Sequence, residues 1–325
     1  MSKAIRIHET GGPEVLKWED VDVGAPGPGE AKVLHTAIGL NYIDVYGRTG
    51  LYPLPSMPHA LGMEAAGVVE AIGDDVSDVS VGDRIAYVIG PPGAYSEERV
   101  VPADRLIKLP DGISDETGAA MMLQGMTAQY LLRQTYNVKA GDSILIHAAA
   151  GGVGLIVCQW AKHLGATVIG TVGSDKKAAL AMAHGCDHAI VYTRENFKDR
   201  VAEITGGEGV NVVYDSIGKD TFMDGLDSLK PLGMMVTFGN ATGPVDAFSP
   251  GILAAKGSLF VTRPSLFTYL AKRDNLMAMA ADLFEVVSSG VVKIEINQTY
   301  DLSDAAQAHI DLEARKTTGS TILKP

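Results

Sequence analysis

The chain has 325 residues, enough to bury a large core and to divide into two domains. Its 27 Lys and Arg against 39 Asp and Glu leave a net charge of −12, with a pI near 5.1, which speaks against nucleic acid and anionic membrane as partners. Two cysteines, Cys158 and Cys186, are too few for a disulfide framework or a thiolate zinc site, and no apolar run is long enough to span a bilayer.

The first residues, MSKAIRIHET, lack the apolar core of a signal peptide, so a cytoplasmic protein is expected. Up to about Gly118, short β-like runs (Ala4–Ile7, Ala31–Ile38, Ala65–Ile72, Arg84–Val88) alternate with Gly and Pro turns, which reads as a β-rich barrel or sandwich. The stretch from Asn41 to Tyr46, with Tyr52 and then His59 to Glu64, reads as loop-rich. Any one of its tyrosines fits a packed aromatic with a wet tip; three close together suggest a pocket.

From about Met121 to Pro264 the rhythm becomes strand–helix alternation, the pattern of a parallel sheet. Ser143–Ile146 is a short apolar run suited to a buried strand, followed by a turn of small residues, Ala148 to Gly154. From Val153 the apolar residues fall at 153, 156, 157, 160, 161 and 164, which is helical spacing, and Gly165 is a good stop. A strand, a glycine-rich turn and a helix make a phosphate cradle, with Ala150, Gly151, Gly152 and Val153 at its centre. An Ala replaces the first Gly of the usual dinucleotide fingerprint.

Thr167–Val172, Ala189–Val191, Val210–Tyr214, Met234–Phe238 and Leu259–Thr262 read as further strands, with helices over Asp175–His184, Asn196–Ile204 and Thr221–Leu229. Six strands with helices between them fit a Rossmann fold, whose ligands bind beyond the carboxyl ends of the strands. Ser216, Phe238, Gly239 and Asn240 lie at two such ends and are cofactor candidates, although their glycines equally fit ordinary turns.

The end of the second strand selects the cofactor. NAD-binding folds place an acid there for the ribose 2′-hydroxyl; here Gly173 takes that place, with Ser174 beside it and Lys177 one turn on. A neutral, open site near a cation suits a 2′-phosphate and hence NADPH. Asp175 reads as a helix N-cap, with a displaced ribose acid as the other reading.

Past Pro264, Ser265–Gly290 reads as one or two helices and Lys293–Tyr300 as a strand. Asp304–Arg315 reads as a helix capped by Ser303, and Ser320–Leu323 as a closing strand. Residues 1–124 and 265–325 are assigned to a catalytic domain, and 125–264 to the inserted dinucleotide-binding domain.

Gly141-Asp142, Leu145, Ala149 to Gly152, Gly154, Gln159 and Lys162 form a signature. With it go Gly11 to Leu16, Gly62-x-Glu64-x-x-Gly67, Val81 to Arg84, Lys256 to Ser258 and Thr262 to Pro264. Taken together the chain resembles the zinc-free quinone oxidoreductases, the zeta-crystallin-like branch of the medium-chain dehydrogenase/reductases. The resemblance covers essentially the whole chain. It implies a GroES-like catalytic domain, a Rossmann domain, a cleft between them and a homodimer. Ser258–Thr262 adds an apolar, β-rich run that would suit pairing at a sheet edge. By the same resemblance Tyr192 and Arg315 flank the 2′-phosphate, and Asn41, Asp44, Thr127, Thr262 and Arg263 join the cofactor-binding set. Arg315 also fits a last-turn partner of a helix dipole.

In the zinc branch of that superfamily the metal is held by a Cys, a His and a second Cys or an acid. The matching positions here are Asn41, Met63 and Gln124, none a zinc ligand. No metal is therefore expected, and the acceptor must already be activated: a quinone or a conjugated carbonyl. Asn41, Tyr46 and Tyr52 are the candidates for lining the acceptor and hydrogen bonding to it. The expected activity is NADPH-dependent quinone reduction. An alkenal or enone reductase is the alternative in the same fold, and a non-enzymatic NADPH-binding structural or regulatory protein the alternative of another class.

Overall fold

The structure is a computed structural model and describes residues 2–325. It divides into two compact units. The first takes the chain up to Met126 together with Leu270–Phe284 and Ile294–Pro325; the second is Thr127–Tyr269 with Glu285–Lys293.

The first stretch of the chain forms β1 (Ser2–Ile7), β2 (Lys17–Val21), β3 (Glu30–Leu40), helix α1 (Tyr42–Thr49), β4 (His59–Ala60), β5 (Glu64–Ile72), β6 (Arg84–Val88), β7 (Glu98–Pro102), β8 (Ile107–Lys108) and helix α2 (Asp115–Tyr130). α1 corrects the loop-rich reading of residues 41–46. Asn41 is extended, its backbone N–H donates to the Asp44 carboxylate at 2.9 Å, and Gly50 ends the helix at φ +78°. α2 begins where the Ser114 hydroxyl accepts from the Thr117 N–H at 3.2 Å. Ala119 to Met122 and Met126 are all buried, so it shows no polar face that would give a helical stripe.

The second unit holds β9 (Ser143–Ile146), α3 (Gly152–His163), β10 (Thr167–Val172), α4 (Asp175–Ala183), β11 (His188–Val191), α5 (Phe197–Ile204), β12 (Val210–Asp215), α6 (Phe222–Asp227), β13 (Leu229–Thr237), α7 (Gly251–Ala255), β14 (Phe260–Thr262) and α8 (Leu266–Tyr269). Its six strands are all parallel, in the order β11-β10-β9-β12-β13-β14. Counted from β9 that is 3-2-1-4-5-6, the Rossmann order, with its switch point between β9 and β12. Leu145, Ile169, Ile190, Val213 and Met235 carry the sheet's share of one core, packed against Phe197, Val201, Phe222 and Leu226 of the helices.

The last stretch adds α9 (Arg273–Ser288), β15 (Ile296–Asp301), α10 (Ala305–Glu313) and β16 (Ser320–Lys324). β16 runs antiparallel to β3 and parallel to β15, which extends the β-sheet of the first unit to β15-β16-β3-β5-β6-β8, with β7 also on β3. A smaller sheet, β2-β1-β4, closes over a core of Ile5, Ile7, Val33, Ile38, Val69, Ile85, Tyr95, Leu302 and Leu323. Ser303 is not the cap expected of it: it sits inside a single 3-10 turn, Leu302–Asp304, and Asp304 stands at the cap of α10.

Candidate active site

In the second unit the turn after β9 is built for close approach. Ala148 adopts φ +55°, and its carbonyl accepts from the Gly151 N–H at 2.9 Å. A Cβ on Gly154 would run into the Ala148 carbonyl and the Ala149 backbone, so this glycine packs helix on strand. Around Gly151 only the Ala148 oxygen lies near, at 3.2 Å. Gly151 is the N-cap of α3, and Gly152 and Val153 open it, so the free N–H groups of a 12-residue helix start at this turn.

Three buried polar atoms sit at the carboxyl ends of three neighbouring strands: His147 Nε2 after β9, Asp215 Oδ2 closing β12 and Thr237 Oγ1 closing β13. Each has no hydrogen-bond partner in the protein. The other Asp215 oxygen accepts from Ile217 N (2.8 Å), Gly218 N (3.1 Å) and Thr221 Oγ1 (2.9 Å), which fixes the loop that carries Ser216. Gly239 lies so close to Ser216 that a Cβ would strike its backbone. Arg263, just past β14, donates to the Gly239 carbonyl at 3.2 Å, and the Asn240 amide bridges the same pair, giving to Gly239 O at 2.9 Å and accepting from Arg263 at 3.1 Å. Ser216, Gly239, Asn240 and Arg263 are thus brought together, with Phe238 and Thr262 alongside in the chain; Thr127 is buried on α2.

The end of β10 draws Gly173, Ser174, Lys177 and Tyr192 into one corner. A Cβ on Gly173 would stand 2.9 Å from the Tyr192 hydroxyl, and the Ser174 hydroxyl caps α4 by accepting from Lys177 N at 3.4 Å. Ser174, not Asp175, is therefore the N-cap. Asp175 occupies the first turn and pairs with Arg194, which holds its carboxyl below the usual carboxylate range. Arg194 was missed by sequence reasoning; it lies 19 residues from its partner, in the loop after β11. Arg315 belongs to the first unit, in the left-handed conformation (φ +58°) just after α10.

In the first unit Tyr42, Tyr46 and Tyr52 form a row, with ring centroids 5.7 and 5.2 Å apart. Asn41 begins the same helix and is buried. Its Nδ2 donates to Glu64 Oε1 at 2.5 Å and its Oδ1 accepts from Gln124 Nε2 at 3.1 Å. Burial pushes the Glu64 carboxyl up to about 8, and that of Asp44 up to about 7.

Asp44 Oδ2 also accepts from the Tyr95 hydroxyl at 2.9 Å. Tyr95 in turn meets His309 Nε2 at 3.2 Å, and Arg48 meets His309 Nδ1 at 3.2 Å. Because a guanidinium only donates, Nδ1 of His309 is the acceptor and Nε2 carries the proton. Burial, reinforced by Arg48, lowers His309 to about 3, so it is neutral. The Arg48 guanidinium closes the network on both oxygens of Glu313, at 2.9 and 2.8 Å. Glu64, Tyr95, Arg48 and His309 were not among the sequence candidates. The only sequence signal for any of them was Glu64 within the Gly62–Gly67 motif.

Zinc does not fit this site. Of the three positions that carry ligands in the zinc branch, Asn41 and Gln124 are amides spent on each other, and Met63 is a thioether. His59 lies on β4 and, among the described residues, no three His, Cys, Asp or Glu side chains are grouped to hold a metal. A dinucleotide does fit the second unit. At Gly151 the turn has room for no side chain without pressing on the Ala148 carbonyl, the helix presents free N–H groups, and polar atoms stand unpaired at the strand ends.

Residues 27–111 match the family model described as "Alcohol dehydrogenase GroES-like domain", and residues 152–279 that described as "Zinc-binding dehydrogenase". The chain is 54% identical over 325 residues to the quinone oxidoreductase of Pseudomonas aeruginosa, with all of both chains covered. It is 48% identical over 331 residues to a 2-haloacrylate reductase of Burkholderia, covering 100% of this chain and 99% of that one. Among solved structures, Escherichia coli quinone oxidoreductase complexed with NADPH superposes with a TM-score of 0.98 at 48% identity, over 99% of this chain and 100% of the other.

Proposed function

The chain belongs to the quinone oxidoreductases of the medium-chain dehydrogenase/reductase superfamily, and from that premise we propose that it reduces quinones with NADPH and without a metal. The observation that carries the acceptor class is the Asn41–Gln124 amide pair, 3.1 Å apart, where the zinc branch has ligands. An amide polarises an acceptor far less than a Lewis acid, so the substrate must delocalise added charge by itself, as a quinone does.

Bound NADPH supplies the reducing equivalents. The residues of the chain bind and orient. Ala150 to Val153 receive the pyrophosphate at the start of α3. Ser174, Lys177 and Tyr192 take the 2′-phosphate, with Gly173 leaving the space, and Arg315 adds charge. Ser216, Phe238, Gly239, Asn240, Thr262 and Arg263 line the strand-end loops, and Asn41, Asp44 and Thr127 complete the set. Tyr46 and Tyr52 line the acceptor, and Asn41 donates an N–H to its oxygen. Water protonates the product anion.

A second acceptor class, conjugated double bonds, is favoured by one observation, the 48% identity to a 2-haloacrylate reductase. An acceptor panel separates the two: para-quinones, ortho-quinones, enals and haloacrylates with NADPH consumption followed, before and after chelation. Turnover of quinones that survives chelation is expected. Turnover of enals alone, or of nothing, would sink the quinone reading.

The protein acts in the cytoplasm as a homodimer. No helix among the described residues is long and apolar enough to cross a membrane. β14 is the last strand of its sheet, with Phe260 exposed on it, and an open apolar edge of this kind favours pairing with a second copy. Light scattering that finds a monomer would remove the dimer.

A further inference from the structure

Glu64 is fully buried, and its two oxygens each meet one N–H, Asn41 Nδ2 at 2.5 Å and Leu123 N at 2.5 Å. β3 gives up a side chain to make room for it: a Cβ on Gly39 would run into Glu64 Oε1 and the Ala119 carbonyl. An ionised carboxylate only accepts hydrogen bonds. Asn41 must therefore turn its NH2 toward Glu64, which leaves Oδ1 facing Gln124. Gln124 must answer with its own NH2, at 3.1 Å, and its Oε1 then takes the Ser320 hydroxyl at 2.7 Å. Neither amide decides its own orientation; one carboxylate decides both.

We propose that Glu64 is a positioning residue for the reduction: it sets the polarity of the buried relay Glu64–Asn41–Gln124–Ser320. With Glu64 ionised, it thereby presents the second Nδ2 hydrogen of Asn41, rather than the carbonyl oxygen, to the acceptor. The catalytic half of this inference rests on the role given to Asn41 above; the polarity of the relay does not.

The Glu64→Gln variant reverses the relay. Its glutamine must keep Oε1 for the Leu123 N–H, so its NH2 faces Asn41. Asn41 turns over, Gln124 follows, and Ser320 accepts from Gln124 while donating to the Ala120 carbonyl, 3.1 Å away. Every bond is remade with the opposite sense, so the fold survives while a donor at the site becomes an acceptor. A proton on Glu64 turns the relay in the same way. The titratable groups that act on Glu64 from the elements around it are Asp44 on α1, Tyr87 on β6 and Tyr95 in the loop after it.

The test compares wild type and Glu64→Gln at ~pH 9, above the value near 8 to which burial lifts Glu64. The variant should keep its melting temperature or gain, and lose about tenfold or more in kcat with a para-quinone. As the pH falls through 8, wild-type kcat should decline toward that of the variant, whose profile stays flat. Stability supplies a separate arm. Asn41→Asp sets two carboxylates together and should lower the melting temperature by roughly 5 °C or more, and the N41D/E64Q double variant should regain most of the loss. Wild-type kcat in Glu64→Gln across the pH range would overturn the positioning role. A double variant no more stable than Asn41→Asp would overturn the relay. If wild type turns over no quinone with NADPH, the function falls and takes the positioning role with it, while the stability arm still decides the polarity.

Discussion

Arg194 grips Asp175 at two points, with NH1 2.8 Å from Oδ2 and NH2 2.6 Å from Oδ1. Asp175 follows the Ser174 cap, where its charge would otherwise oppose a 2′-phosphate. The guanidinium offsets that charge by pairing with the Asp175 carboxylate. The corner that results, with Gly173, Ser174, Lys177 and Tyr192, is suited to the phosphate of NADPH rather than to the free ribose of NADH.

Lys177→Ala should therefore raise the Michaelis constant for NADPH by about tenfold or more, as expected for one charge-assisted phosphate contact, and leave that for NADH nearly unchanged. Gly173→Asp should go further and favour NADH, since its side chain begins 2.9 Å from the Tyr192 hydroxyl and brings an acid to the phosphate. Arg194→Ala should act like a weaker Gly173→Asp by releasing the charge of Asp175. Steady-state kinetics with both cofactors checks all three, and equal effects on NADPH and NADH would refute the argument.

Gly39→Ala should destabilise the fold by about 3 kcal/mol, in the range of an overpacked core. The added Cβ would meet Glu64 Oε1 and the Ala119 carbonyl, and neither can retreat from its buried surroundings. Urea unfolding measures the loss, and a variant as stable as wild type would mean that the carboxylate site is looser than its contacts imply.

The parts of the fold legible in the sequence were those whose burial leaves a simple pattern. β9, β10 and β12 are built around short apolar runs, Ile144–Ile146, Val168–Ile169 and Val212–Tyr214, because a parallel sheet is covered on both faces, and α3 shows its stripe between two glycines. α1 was not legible because eight residues give barely two turns, and the polar and aromatic Tyr42, Asp44, Tyr46, Arg48 and Thr49 read equally well as a loop. Its signal was the Asn41–Asp44 capping spacing. α2 hid for the opposite reason: buried nearly all round, it has no amphipathic period. At the site, the Glu64 relay joins positions 41, 64, 124 and 320, and no local spacing encodes such a contact.

Stability should respond to pH through the buried acids. Burial raises Glu64 to about 8 and Asp44 to about 7 in the folded chain, so between the ordinary carboxylate range and those values the folded state holds more protons than the unfolded one. Their contribution is fully present at low pH and is lost as the pH rises through 7 to 8. Glu64→Gln removes one of the two, so its melting temperature relative to wild type should climb from about pH 5 to about pH 8 and level off above. A difference that stays constant across that window would show that Glu64 does not titrate there.

The most direct measurement is the ratio of kcat/KM for NADPH over NADH with one soluble para-quinone, taken on chelator-treated protein. The account predicts undiminished quinone reduction after chelation and a preference for NADPH of about a hundredfold, the product of two phosphate contacts of modest strength. Activity that disappears with the chelated metal, or a ratio at or below one, would contradict it.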